Sequence, residues 1–203
     1  MKQLSIDVVL LPPQEVIEWA LQWNTRLLEV YPDRIRMGRE SGVPHISLAM
    51  ACIADTELPE AEKRFAAIAA DTHLLNLHIP GIKIVHNAAG EPISSFDIRP
   101  DPPLRSLHER VVGGLSGLVC GPATRDSLHH PHPGGVSPST LQWISDYLTR
   151  HSFDAFWPHI TLGYGQLDED FPACDFSTSR LAVFHLGNHC TCQDLLLEFE
   201  LKP

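Results

Sequence analysis

The chain has 203 residues, 43% of them apolar, with 25 Asp and Glu against 15 Lys and Arg for a formal net charge of −10. That length suits one domain, or two closely packed lobes, with a substantial core. The charge disfavours a protein that grips long nucleic acid through many phosphates, though not a pocket for one or two. No apolar run approaches the roughly 20 residues of a membrane span.

Leu4, Ile6, Val8 and Leu10 alternate through an N-terminal run broken by Asp7, which reads as a first strand and not as a signal peptide. Pro12 and Pro13 open a helix from about Gln14 to Val30, its apolar stripe Val16, Ile17, Ala20, Leu21, Leu27 and Leu28. An Arg-rich loop leads to a strand at roughly His45 to Ile53. A second helix runs over about Pro59 to Ala70. Strands at roughly Leu74 to Val85, broken near Pro80-Gly81, and at Ile93 to Ile98 close this half. Asp101-Pro102-Pro103 reads as the cap and first turn of a helix carrying Leu104, Leu107, Val111, Leu115 and Leu118, weakened late by Gly113, Gly114 and Gly117. Residues of about 120–137 form an irregular insertion rich in Pro, Gly and His. Ser137-Pro138 starts another helix, with Leu141, Ile144 and Leu148 on one side. A strand near His159 follows, and runs at Arg180–Leu186 and Leu195–Leu201 end the chain.

The five cysteines, Cys52, Cys120, Cys174, Cys190 and Cys192, are odd in number and irregular in spacing. They suggest reduced thiols in a cytoplasmic protein.

One pattern occurs twice: Pro-His-Ile-Ser-Leu from Pro44 and Pro-His-Ile-Thr-Leu from Pro158, 114 positions apart. In a strand, residues i and i+2 share a face. His45 and Ser47 would therefore project together, as would Trp157, His159 and Thr161, with Ile46, Leu48, Ile160 and Leu162 in the core behind them. Strand, helix, loop and motif strand over 4–53 match strand, helix, insertion and motif strand over 93–164, so the chain is expected to form two pseudo-equivalent lobes. Two imidazoles facing each other suit displacement at phosphorus, where one oxygen loses a proton as another gains one. The two hydroxyls would donate to non-bridging oxygens.

These paired motifs resemble the two signature motifs of the two-histidine phosphoesterase superfamily, the group of 2′-5′ RNA ligase-like proteins and RNA 2′,3′-cyclic phosphodiesterases. The resemblance implies an α+β fold of two lobes in one domain, with antiparallel-rich sheets lining a central cleft and helices outside. It implies a metal-independent reaction on 2′,3′-cyclic or 2′-5′-linked phosphodiesters of nucleotides or RNA ends. His45 and His159 would be the catalytic pair and Ser47 and Thr161 the phosphate ligands. In cyclic-phosphate hydrolysis His159 would be the base toward water and His45 the acid toward the ribose oxygen, with roles exchanged on ligation. The chain is expected to act as a monomer without cofactor, metal, membrane or long-duplex partner. A non-catalytic nucleotide-binding module using the same cleft is the alternative.

Other residues keep two readings. Trp157 could stack on a nucleobase, or wall the cleft or sit in the core. Arg34, Arg36 and Arg39 could reach a substrate phosphate, or form a solvated loop with Asp33 and Glu40. His129, His130 and His132, and His185, His189, Cys190 and Cys192, invite a zinc reading, but Cys-x-Cys spacing at a strand turn falls short of a ligand set. Neither segment overlaps the paired motifs.

Overall fold

The structure, a computed structural model, describes residues 2–32, 35–87, 90–129, 135–166 and 169–203. In chain order the elements are β1 (Gln3–Leu11), α1 (Gln14–Val30), β2 (Ile46–Ala54), α2 (Leu58–Ala70), β3 (Leu75–Ile79), β4 (Ile82–His86), β5 (Pro92–Asp97), α3 (Pro102–Gly114), α4 (Pro138–Arg150), β6 (His159–Tyr164), β7 (Cys174–Thr178), β8 (Arg180–Leu186) and β9 (Cys192–Glu200). The strands form antiparallel sheets in the orders β2-β1-β8-β9, β4-β5-β6 and β3-β7. This is the α+β architecture expected from the sequence.

The motif strands β2 and β6 are each the edge of their sheet, and they approach one another. An edge strand has one row of backbone groups free of its own sheet. Here those two edge strands lie near each other, which brings the two motifs into one region of the fold. Behind the motifs, Ile46, Leu48, Ile160 and Leu162 are fully buried, each contributing about 1.5–3 kcal/mol by leaving water.

The helices cross over. α1 packs under β6 and α3 under β2, so each half of the chain supplies the backing for the other half's motif strand. This explains one departure from the expected stripe on α1. Leu21 and Leu28 are only half-buried, while Trp23 and Asn24 are buried beside Val16, Ile17, Ala20 and Leu27. A polar residue enters the core because it has a bonding task there.

Other boundaries moved for identifiable reasons. α3 ends at Gly114, and Leu115 and Leu118 stay buried in the turns beyond it. Asp101 occupies the N-cap position without a side-chain capping bond. The break at Pro80-Gly81 is a change of sheet: β3 pairs with β7 and β4 with β5. Within the insertion, Thr124 and Ser127 close a capping box around a short turn, and the His129 N–H bonds to the Leu186 carbonyl on β8. His130 and His132 lie outside the described residues, as do Asp33 and Arg34.

Candidate active site

Each motif begins with a residue held extended by the proline after it, and that residue's carbonyl accepts a bond from the imidazole two positions on. His45 Nδ1 lies 2.6 Å from the Val43 oxygen and His159 Nδ1 3.0 Å from the Trp157 oxygen. A carbonyl only accepts, so Nδ1 carries the proton in both rings. Each Nε2 is left with a lone pair, the arrangement a general base requires.

The strands are shaped alike as well. Between Val8 and Val9 the pairing of β1 with β2 slips by one residue, leaving Leu48 unpaired; between Ser94 and Ser95 the pairing of β5 with β6 slips the same way, leaving Leu162 unpaired. Each motif thus carries a β-bulge one residue after its hydroxyl, a device that re-aims neighbouring side chains. The carbonyls at the bulges are taken by side chains from the crossed-over helices. His108 Nδ1 on α3 donates to the Leu48 oxygen at 2.7 Å, and Asn24 Nδ2 on α1 donates to the Leu162 oxygen at 2.8 Å. His108 Nε2 also accepts the N–H of Phe153, a left-handed residue (φ 58°) just before motif two. One buried ring therefore ties the bulge of motif one to the segment entering motif two.

His45, Ser47, His159 and Thr161 are all partly exposed. Burial lowers the pKa of His45 from 6.5 to about 4, and His159 is near enough that its charge lowers it further. His159 is also lowered by burial and by Lys83, while the carboxylate of Asp97, its cross-strand partner, acts in the opposite direction. The two rings are therefore near enough to interact electrostatically.

The surroundings of the two rings differ. His159 stacks on Trp157 with ring centroids 4.1 Å apart, Trp157 Nε1–H donates to Asp97 Oδ1 at 2.6 Å, and Lys83 Nζ lies 4.8 Å from the Trp157 ring centroid. Trp157 thus buttresses the imidazole. His45 Nε2 instead lies 3.6 Å from Oδ2 of Asp7, a fully buried carboxyl whose pKa burial pushes well above the usual range. Ser47 Oγ–H donates to the same Oδ2 at 2.7 Å. Two buried side-chain oxygens, Asp7 Oδ1 and Ser95 Oγ, lack a hydrogen-bond partner among the described residues. One lies beside motif one, and the other belongs to the residue across the strand from Thr161.

Sequence reasoning missed Asp7 as a site residue. Its signal was present, a single acid in the apolar run LSIDVVLL of a strand now seen buried on both faces. It also separated the Cys190–Cys192 segment from the motifs. In the fold the N–H groups of Gly42 and Val43 bond to the Cys192 carbonyl, and the Cys192 thiol comes within 4.8 Å of Asp7 and His45 ligand atoms. Arg39 is exposed and ion-paired with Glu18 at 2.5 Å. It lines a cavity of about 490 Å³ with Gln14, Val43 and Arg180, to which none of the four motif side chains contributes. Arg36 is exposed.

Two sheets thus bring matched His-x-Ser/Thr edge strands close to one another. The family model of the 2′-5′ RNA ligase superfamily matches residues 12–195, and the chain belongs to that superfamily. Among solved structures it is similar to TT0787 of Thermus thermophilus, with 16% identity, 98% of each chain covered and a TM-score of 0.64. It is also similar to LigT of E. coli in apo form, with 13% identity over the whole of both chains and a TM-score of 0.55. LigT complexed with 3′-AMP gives 14% identity over the whole of both chains and a TM-score of 0.53. A comparison with curated proteins gave no match.

Proposed function

We propose that this protein is a metal-independent phosphodiesterase that opens 2′,3′-cyclic phosphates or cleaves 2′-5′ linkages at nucleotide or RNA ends, with His45 and His159 as its acid–base pair. The carrying observation is the matched pair of imidazoles, each with Nδ1–H bonded to the carbonyl two residues back and Nε2 left unprotonated, across one cleft. Superfamily membership and the likeness to LigT, solved with phosphate and with 3′-AMP, support a small phosphorylated ligand. The net charge of −10 favours a substrate engaged at one end.

Thr161 faces the cleft as a donor to a non-bridging oxygen. Ser47 does so when the Asp7 carboxyl is protonated: Asp7 then donates to Ser47 Oγ and turns the hydroxyl hydrogen outward. Asp97 favours a proton on His159, while burial holds the pKa of His45 down to about 4. The one-proton state therefore carries it on His159, which makes His45 the base and His159 the acid in hydrolysis, the reverse of the division expected from the resemblance. A diester with an activated phenolate leaving group tests this, because the acid variant alone should be rescued by it. Equal rescue of both variants counts against the assignment.

Product analysis by mass spectrometry in excess EDTA tests the function. The substrates are 2′,3′-cyclic nucleotides, a short RNA ending in a cyclic phosphate, and 2′-5′ oligoadenylate. Hydrolysis by the wild type that is lost in His45→Ala and His159→Ala supports the reading. Binding of these ligands without turnover would favour a nucleotide-binding module.

A further inference from the structure

Asp7, His45 and Cys192 come from three different parts of the chain, on or beside β1, β2 and β9, and place a carboxylate oxygen, an imidazole nitrogen and a thiol sulfur within 4.8 Å of one another. Asp7 Oδ2 and His45 Nε2 are 3.6 Å apart. Two ligands on one tetrahedral ion, with bonds of about 2.0 Å, stand roughly 3.3 Å apart. Closing the set around an ion therefore needs side-chain adjustment and no refolding.

The ligands are already oriented. The Nδ1–H bond to Val43 aims His45 Nε2, the Ser47 hydroxyl holds Asp7 Oδ2, and the Gly42 and Val43 amides tie Cys192 to the segment before His45. Such supporting bonds characterise metal sites. The cluster also leaves a buried polar atom unsatisfied. Asp7 is fully buried, its Oδ1 has no partner among the described residues, and its one ion-pair contact there is His45. A dication with one carboxylate, one thiolate and one neutral imidazole sums to zero charge. A mixed oxygen, nitrogen and sulfur set suits zinc and not magnesium or calcium.

We propose that Asp7, His45 and Cys192 form a site for Zn²⁺, whose binding takes His45 Nε2 out of acid–base chemistry and so inhibits the enzyme. The fourth position faces the cleft, because His45 is the one ligand with exposed surface, its side chain 15% accessible. On binding, the thiol and the carboxyl release their protons to solvent and the imidazole keeps its Nδ1 proton. Zinc is thus an occupant that competes with catalysis, and the reaction does not need it. Binding stands apart from the function proposed above; only the inhibition rests on it.

The experiment is titration of the purified full chain with Co²⁺ as a spectroscopic probe, followed by displacement with Zn²⁺. One equivalent should bind, with a thiolate-to-cobalt charge-transfer band and the visible bands of a tetrahedral ion. Cys192→Ser should lose the charge-transfer band, and His45→Ala should weaken binding about tenfold or more. Cys52→Ser removes the other close thiol pair, Cys52 and Cys120, whose sulfurs are 4.0 Å apart, and should leave the spectrum unchanged. Absence of a one-equivalent band in the wild type overturns the proposal, as does a band that survives in Cys192→Ser. If Cys192→Ser does not fold, His45→Ala decides: wild-type affinity there overturns the site. In the activity arm, micromolar Zn²⁺ should suppress hydrolysis, EDTA should restore it, and Cys192→Ser should need more zinc for the same inhibition. Cobalt binding without detectable hydrolysis keeps the site and refutes the function; zinc-insensitive hydrolysis does the opposite.

Discussion

The two motif strands have the same backbone and different neighbours. Both hold their imidazole by a carbonyl two residues back, both bulge at the leucine after the hydroxyl, and both hand the bulge carbonyl to a helix from the other half of the chain. Around His159 stand an indole, a carboxylate and an ammonium group; around His45 stand a buried carboxyl and a thiol. Backbone symmetry therefore sets where the rings point, and local chemistry sets how each holds a proton.

Removing either ring attacks the shared part of this comparison. His45→Ala and His159→Ala should each lower turnover by about 10²–10⁴-fold, with circular dichroism showing both folded. Near-full activity in either variant removes that histidine from the mechanism.

The helix side chains come next. His108→Ala and Asn24→Ala each leave a bulge carbonyl unsatisfied, at a cost of about 1–3 kcal/mol. Each also orphans a backbone amide, that of Phe153 for His108 and that of Met37 for Asn24, so both should lower the midpoint in denaturant unfolding, and His108→Ala should lower kcat through both motifs. An unchanged midpoint for either would show that the bulge does not depend on it.

One backbone difference sharpens the comparison further. The residue after the bulge is Gly163 in motif two, at φ +145°, where an added Cβ would sit 2.9 Å from Asn24 Nδ2, whereas motif one has Ala49 there without a positive φ. Gly163→Ala should destabilise by about 1–3 kcal/mol, or roughly 2–4 °C in Tm for each kcal/mol. Ala49→Gly should cost less.

Titration separates the two neighbourhoods most finely. His45, with its pKa depressed to about 4, adds stability that is complete above 6.5 and is lost as pH falls through about 4. Asp7, with its pKa raised, behaves oppositely, its contribution complete below 3.8 and lost as pH rises through its folded value. Thermal melts should therefore show His45→Ala flattening the acid-side loss, and Asp7→Asn raising Tm at neutral pH but not at pH 3. For activity, kcat/KM should be bell-shaped and centred below 6.5, because both rings are lowered in the free protein. A rate rising steadily from pH 5 to 9 breaks the pairing.

Much of this was legible in the chain. Pro-His-Ile-Ser/Thr-Leu states both the face and the turn-in of each motif, because alternation and the proline act within five residues. Pro12 and Pro13 placed the start of α1 for the same local reason. The bulges were not legible, since a slip in pairing is a property of two strands together. An apolar stripe likewise does not say which sheet it covers, so the helix exchange and the burial of Asn24 and His108 stayed hidden. β7 went unread because Cys174–Thr178 is short and only half apolar. Cys192 joined the site through backbone bonds to Gly42 and Val43, across 150 positions of chain.

The exchanged helices also constrain how the molecule forms. α1 is made early in synthesis, yet the strand it covers, β6, emerges only after residue 158. Until then α1 lacks β6, and β2, though already paired with β1, lacks α3 and α4. The crossed packing therefore depends on contacts far apart in sequence, which raises contact order and slows folding. The backing of the two motif strands is thus complete only once residue 158 and the strand after it have emerged.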